Sequence, residues 1–105
     1  MPEKVFITGI GIISSIGFSI DETMESLRNS RSGIGKITIL DTYYKDELPA
    51  GEVKATNEEL FEMARIKNKR PYSRTALLGL IAARQALRHA RIDYITTYKT
   101  GLISA

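Results

Sequence analysis

Three groups of residues have types and spacings that could do chemistry. The first is VFITGIGIISSIG, residues 5–17, where an apolar run breaks into spaced glycines. Glycine-rich turns between a strand and a helix can aim backbone N–H groups at a phosphate. The second is RIKNKRPYSR, residues 65–74, a basic run that could steer an acidic partner. The third is a scatter of single groups: Ser14 and Ser15 in the glycine turn, and His89, the only histidine. No cysteine occurs, which excludes a disulfide framework, a thiolate zinc site and a cysteine nucleophile within these 105 residues.

The phosphate reading fails on spacing. A dinucleotide fingerprint needs glycine at its first, third and sixth positions, directly before a helix. Gly9 and Gly11 supply the first two, but Ser14 stands sixth and Gly17 comes too late. An acidic residue about 20 positions beyond the glycines is also required for the ribose, and Asp41 lies further on. No Gly-Lys-Ser/Thr of the Walker type occurs, and GIGKI at residues 33–37 follows a helix rather than a strand. The glycines are better explained as places where a neighbouring backbone packs closely against a central strand. Ser14 and Ser15 have no base in view and read as turn residues, and His89 reads as a surface histidine near a helix C-terminus.

The basic run has two readings: a solvated loop before a buried helix, or a docking patch for an acidic partner. A nucleic-acid surface would need bases or aromatics presented beside the charges. Only Tyr72 is close, and the helix that follows is too apolar to lie in a groove.

The elements that must position these residues follow from local pattern. Residues 5–13 read as a fully buried strand, β-branched on both faces as in parallel sheets. SIDE at residues 19–22 matches a capping box, with Glu22 reaching back to Ser19. It opens a helix with Ile20, Met24 and Leu27 on one face, fading near residues 28–30. Residues 37–40 form a short apolar segment, and residues 41–53, with Pro49 and Gly51, an irregular excursion. TNEE at residues 56–59 is a second capping box, opening a short helix to about Ala64. Pro71 ends one element or sits in the first turn of the next. A long helix is predicted from Ser73 to about His89, its first half TALLGLIAA apolar all round and buried on most sides. Residues 100–105, TGLISA, read as the opening of another buried strand, so the chain reads as the front of a larger protein.

Composition agrees with one domain, or part of one: 43% of the residues are hydrophobic and 8% aromatic, so the core should be mainly aliphatic. A formal net charge of +3 permits an acidic partner without demanding nucleic acid. No signal peptide is visible, and no window approaches the roughly 18 apolar residues of a membrane span. A cytoplasmic setting, without membrane or nucleic-acid partners, is expected.

Four segments in order resemble the N-terminal part of β-ketoacyl-acyl-carrier-protein synthases, the elongating condensing enzymes of the thiolase superfamily. VFITGIGIISSIG is similar to that family's opening strand and turn, and SGIGKI, residues 32–37, to its second landmark. YSRTALLGLIAARQALRHARID resembles its long Ala-rich helix, and TGLISA the strand after it. Ser14 and Ser15 stand where Thr-Pro is common, and Arg91 where the helix usually ends in glycine. These departures suggest a divergent branch.

The resemblance implies an α/β, thiolase-like fold, with residues 1–105 the N-terminal part of the first βαβαβ half, its layered sheet between helices. It implies an acyltransferase, a 3-oxoacyl-carrier synthase of fatty acid or polyketide synthesis that works as a dimer. In the family a cysteine takes the acyl group, and two histidines assist decarboxylation of a malonyl thioester. All three lie beyond residue 105, so the chain alone should be inactive. No cofactor or metal is implied. The expected partners are an acyl carrier protein, the remainder of the ketosynthase and a second subunit. Carrier docking is implied at Lys67 and Arg70, supported by Lys69 and Arg74, although Pro71 falls where another lysine is common. A non-enzymatic chain-length-factor partner is the alternative, and a small nucleotide-binding domain a distant third.

Overall fold

In a computed structural model, residues 3–68 and 70–104 are described. Three helices follow in order: α1 at Ile20–Arg28, α2 at Asn57–Met63 and α3 at Arg74–His89. Each starts where a short polar side chain takes up an orphan N–H of the first turn. Ser19 Oγ accepts from Glu22 N at 3.2 Å, Thr56 Oγ1 from Glu59 N at 3.2 Å, and Ser73 Oγ from Ala76 N at 3.1 Å. The capping box at Thr56 is complete, since Glu59 reaches back to the Thr56 N–H. The box at Ser19 differs from expectation: Glu22 Oε2 accepts from Phe18 N at 2.7 Å, one residue earlier than Ser19. The Ser19 backbone is extended (φ −154°, ψ 172°), and the carboxylate is satisfied by the preceding N–H.

The helices also end alike. Ser30, Arg65 and Arg91 follow the three C-caps with φ of 51°, 52° and 58°, in the left-handed region where glycine is favoured. After α1 and α3 the turn closes as a Schellman motif, with Arg31 N donating to Ser26 O at 2.9 Å and Ile92 N to Leu87 O at 3.0 Å. A side chain there costs about 1 kcal/mol, partly offset by the greater freedom glycine gives the unfolded chain. Arg91→Gly is therefore expected to raise stability by about 0.5 kcal/mol in urea denaturation. A lower midpoint would contradict the assigned turn.

The buried core is Ala55, Leu60, Ala64, Leu77 and Ile81, where α2 and the residues before it meet one face of α3. It is aliphatic, and Leu60 and Leu77 each contribute about 2 kcal/mol by leaving water. The first half of α3 is not buried all round. Leu77 and Ile81 are buried, Leu78 and Leu80 half-buried, while Thr75, Ala76 and Gly79 face solvent. Alpha-1 departs from its pattern too. Met24 and Leu27 are exposed, and the buried residues are Thr23 and Ser26. The Ser26 hydroxyl donates to Ile16 O at 2.6 Å and ties this face to the turn, while the Thr23 hydroxyl donates to Ser19 O at 2.7 Å within the start of the helix itself.

The expected layered sheet is not formed among the described residues. Two isolated bridges occur, Ser14 with Gly17 and Gly35 with Ala50. Val5, Phe6 and Ile7 are 93%, 75% and 83% exposed, and Leu102 and Ile103 are 91% and 98% exposed. The physical reason is that a strand exists only through a ladder to a partner. The two β-rich ends of the described chain do not supply one to each other.

Candidate functional site

The glycine run is positioned by α3. A Cβ at Gly9 would overlap the Ala86 carbonyl and lie 2.7 Å from Ala90 N. At Gly11 it would overlap the Ala82 carbonyl and lie 2.8 Å from Ala86 N. The run thus lies directly on the helix backbone along Ala82, Ala86 and Ala90, residues four apart that share one face. Two longer side chains of α3 secure it. Ile10 N donates to His89 Nδ1 at 3.1 Å and Ile12 N to Gln85 Oε1 at 3.0 Å. Gln85 Nε2 donates in turn to Phe18 O at 2.5 Å. Alternate N–H groups that a phosphate cradle would direct outward are therefore spent on the helix. His89 acts as an acceptor that fixes the run.

Ser14 Oγ accepts from Ile16 N at 3.3 Å inside its own turn. Ser15 packs under Gly33, where a Cβ would lie 2.7 Å from Ser15 Cβ. The GIGKI glycines thus meet the first turn: Gly33 leaves space for Ser15, and Gly35 pairs with Ala50 through bonds of 3.1 and 2.9 Å.

The basic segment lies between α2 and α3. Asn68 Oδ1 accepts from Arg70 N and from Tyr72 Oη, each at 3.1 Å. The Tyr72 ring packs on Phe61 with centroids 6.2 Å apart. Lys67 and Arg70 are exposed on this braced loop, and Lys69 lies outside the described residues. Arg74 is placed differently from these two. Its Nη2 donates to Val53 O at 2.7 Å, and its Nη1 to Ala55 O at 2.8 Å and Asn57 Oδ1 at 3.1 Å. Arg74 therefore anchors the first turn of α3 to the chain entering α2.

Glu52 has no sequence signal, yet it is the most heavily engaged carboxylate. Its side chain is fully buried. It accepts from Thr38 N at 3.0 Å, from Ile39 N at 3.1 and 3.2 Å, and from Leu40 N at 2.7 Å. Lys54 Nζ sits 2.6 Å away and also donates to Lys36 O at 2.8 Å. Burial pushes the Glu52 carboxyl up, but the Lys54 ammonium and the backbone N–H groups outweigh it and hold the pKa down at about 2. The segment from residue 36 to 54, which contains the excursion at 41–53, is thereby closed by one internal anion.

Against this geometry, residues 2–105 match the family described as β-ketoacyl synthase, N-terminal domain. The chain belongs to that family. Among curated proteins it is 35% identical over 91 residues to 3-oxoacyl-[acyl-carrier-protein] synthase 2 of Staphylococcus aureus (strain COL), covering 87% of this chain and 22% of that protein. It is 29% identical over 105 residues to nodulation protein E of Rhizobium sp. (strain N33), covering 98% of this chain and 25% of that protein. The chain thus spans about a quarter or less of the length of these relatives. No solved structure matches it. Membership brings the thiolase-like fold of an acyltransferase family and places the glycine run and α3 in its N-terminal domain. No described helix is long and apolar enough to cross a membrane.

Proposed function

We propose that residues 1–105 form the N-terminal part of a ketosynthase domain that performs decarboxylative Claisen condensation. The supporting observation is the family match from residue 2 to 105, joined to a glycine run docked on α3 with its N–H groups already spent. In this reaction an acyl group passes from a carrier thioester to a cysteine, releasing the carrier thiol. A malonyl thioester then loses carbon dioxide, and the resulting carbanion displaces the cysteine sulfur to give a 3-oxoacyl thioester. Residues 1–105 contain no cysteine, so the nucleophile comes from residues outside them. What this part supplies is scaffold and surface. Alpha-3 carries the glycine run on one face and the core on another, and the braced loop before it presents Lys67 and Arg70.

Those two side chains form the surface we assign to acyl carrier docking, where acidic carriers are steered by opposite charge, and Lys69 adds its charge to the same stretch of sequence. Arg74 adds to the local field while holding the loop's neighbour in place. The working assembly is a dimer in the cytoplasm.

The test uses the protein translated from its whole reading frame, supplied with malonyl carrier and either a carrier-linked or a coenzyme A-linked acyl donor. A 3-oxoacyl product is expected. Reversing both charges, Lys67→Glu with Arg70→Glu, should raise KM for the carrier-linked donor about tenfold and barely change that for the coenzyme A-linked one. Equal effects on both donors would remove the docking assignment. No product from any donor would remove the condensing role and leave a non-enzymatic partner subunit.

A further inference from the structure

Alpha-2, α3 and Phe18 line an open groove of about 460 Å³, to which neither Lys67 nor Arg70 contributes. Its apolar side is Ile81, almost fully buried, and half-buried Phe18. Its polar side is Arg65, Arg84 and Arg88, with Glu62 on the same lining. All three arginines are exposed along its rim, and the ends of α2 and α3 set their backbone positions. Arg65 is the left-handed residue that ends α2, and its carbonyl accepts from Arg84 Nη1 at 3.3 Å. Arg84 and Arg88 stand four apart on α3, so they share one face.

Among the described residues none of these arginines forms an ion pair. The ion pairs among the described residues are Arg31 with Glu25 and Lys54 with Glu52, so Glu62 makes no direct ion pair with the arginines beside it. Like charges four apart on a helix repel. The negative end of α3 accounts for Arg88 in its last turn, but Arg84 precedes that turn and Arg65 belongs to another element. Three arginines less one glutamate leave a formal charge of +2 lining the groove.

We propose that this groove binds a small phosphate-bearing anion, its phosphate among Arg65, Arg84 and Arg88 and its apolar portion against Phe18 and Ile81. The excess charge matches a phosphate dianion, and guanidinium forks match phosphate oxygens better than point charges do. The site goes beyond the condensing role and does not depend on it.

The experiment titrates the folded protein with inorganic pyrophosphate at constant ionic strength, so that screening is equal in every arm. Backbone amide shifts are followed by NMR. Saturable shifts are expected around the C-terminal end of α2 and residues 84–88. Arg84→Ala with Arg88→Ala should weaken binding about tenfold or more, and Arg84→Lys with Arg88→Lys should weaken it less while keeping the charge. Lys67→Ala with Arg70→Ala should leave it unchanged. Circular dichroism checks that each variant is folded, and the lysine pair decides if the alanine pair is not. The proposal is overturned by non-saturating shifts, by equal affinity in every variant, or by a glutamate-rich peptide occupying the groove where pyrophosphate does not.

Discussion

Gly11→Ala is expected to be among the most damaging single substitutions in the chain, costing about 3 kcal/mol or more of stability. The methyl group would overlap the Ala82 carbonyl and crowd Ala86 N. Both are backbone atoms inside a sixteen-residue helix, so they cannot swing aside as a flexible side chain would. Relief requires lifting the glycine run off α3. That would also stretch the Ile10–His89 and Ile12–Gln85 hydrogen bonds, which lie on either side of Gly11. The control is Gly79→Ala. Gly79 sits within α3 with nothing within 4 Å of an added Cβ, so alanine should stabilise the helix by about 0.5–1 kcal/mol. Urea denaturation of the two variants should move in opposite directions. Matching midpoints would show that the glycine run does not rest on the helix.

Glu52→Gln is expected to release the segment between residues 36 and 54. Both carboxylate oxygens accept from backbone N–H groups, and one also receives the Lys54 ammonium. An amide replaces one of those acceptors with a donor facing donors, which leaves buried N–H groups unpaired. Hydrogen exchange at Thr38, Ile39 and Leu40 should quicken sharply, while α3 stays protected. The pH dependence has a definite sign. The folded-state pKa is lowered from 4.5 to about 2, so the carboxylate's contribution is full above 4.5 and is lost as pH falls toward 2. Wild-type stability should therefore drop across that window, and the glutamine variant should lack this component. A variant with the same acid profile as wild type would show that Glu52 is not the closing anion.

What the sequence reveals and what it conceals divide by range. Ser19, Thr56 and Ser73 are legible as caps because each acts on an N–H three residues ahead, within one short window. The misplaced third glycine is legible for the same reason. Strand formation at residues 5–13 is a different problem, because β-branched composition signals fitness for a sheet without supplying the partner strand. Glu52, Gln85 and Arg74 act on backbone groups 12 to 73 residues away, and no spacing rule marks such contacts. Arg74 shows the consequence: in sequence it is one more charge in a basic run, while in the fold its guanidinium serves carbonyls at Val53 and Ala55. Arg91 is legible as an oddity where glycine is usual, and its φ of 58° gives that oddity a physical content.

The glycine run is a packing element of a β-ketoacyl synthase N-terminal domain and not a phosphate cradle. Amide hydrogen exchange at Ile10 and Ile12 tests this most directly, measured with and without NAD or ATP. Both amides should be protected, Gln85→Ala should expose Ile12 while Ile10 stays slow, and neither nucleotide should shift the resonances of residues 9–12. Rapid exchange at both amides in the unmodified protein, or nucleotide-dependent shifts centred on Gly9 and Gly11, would contradict it.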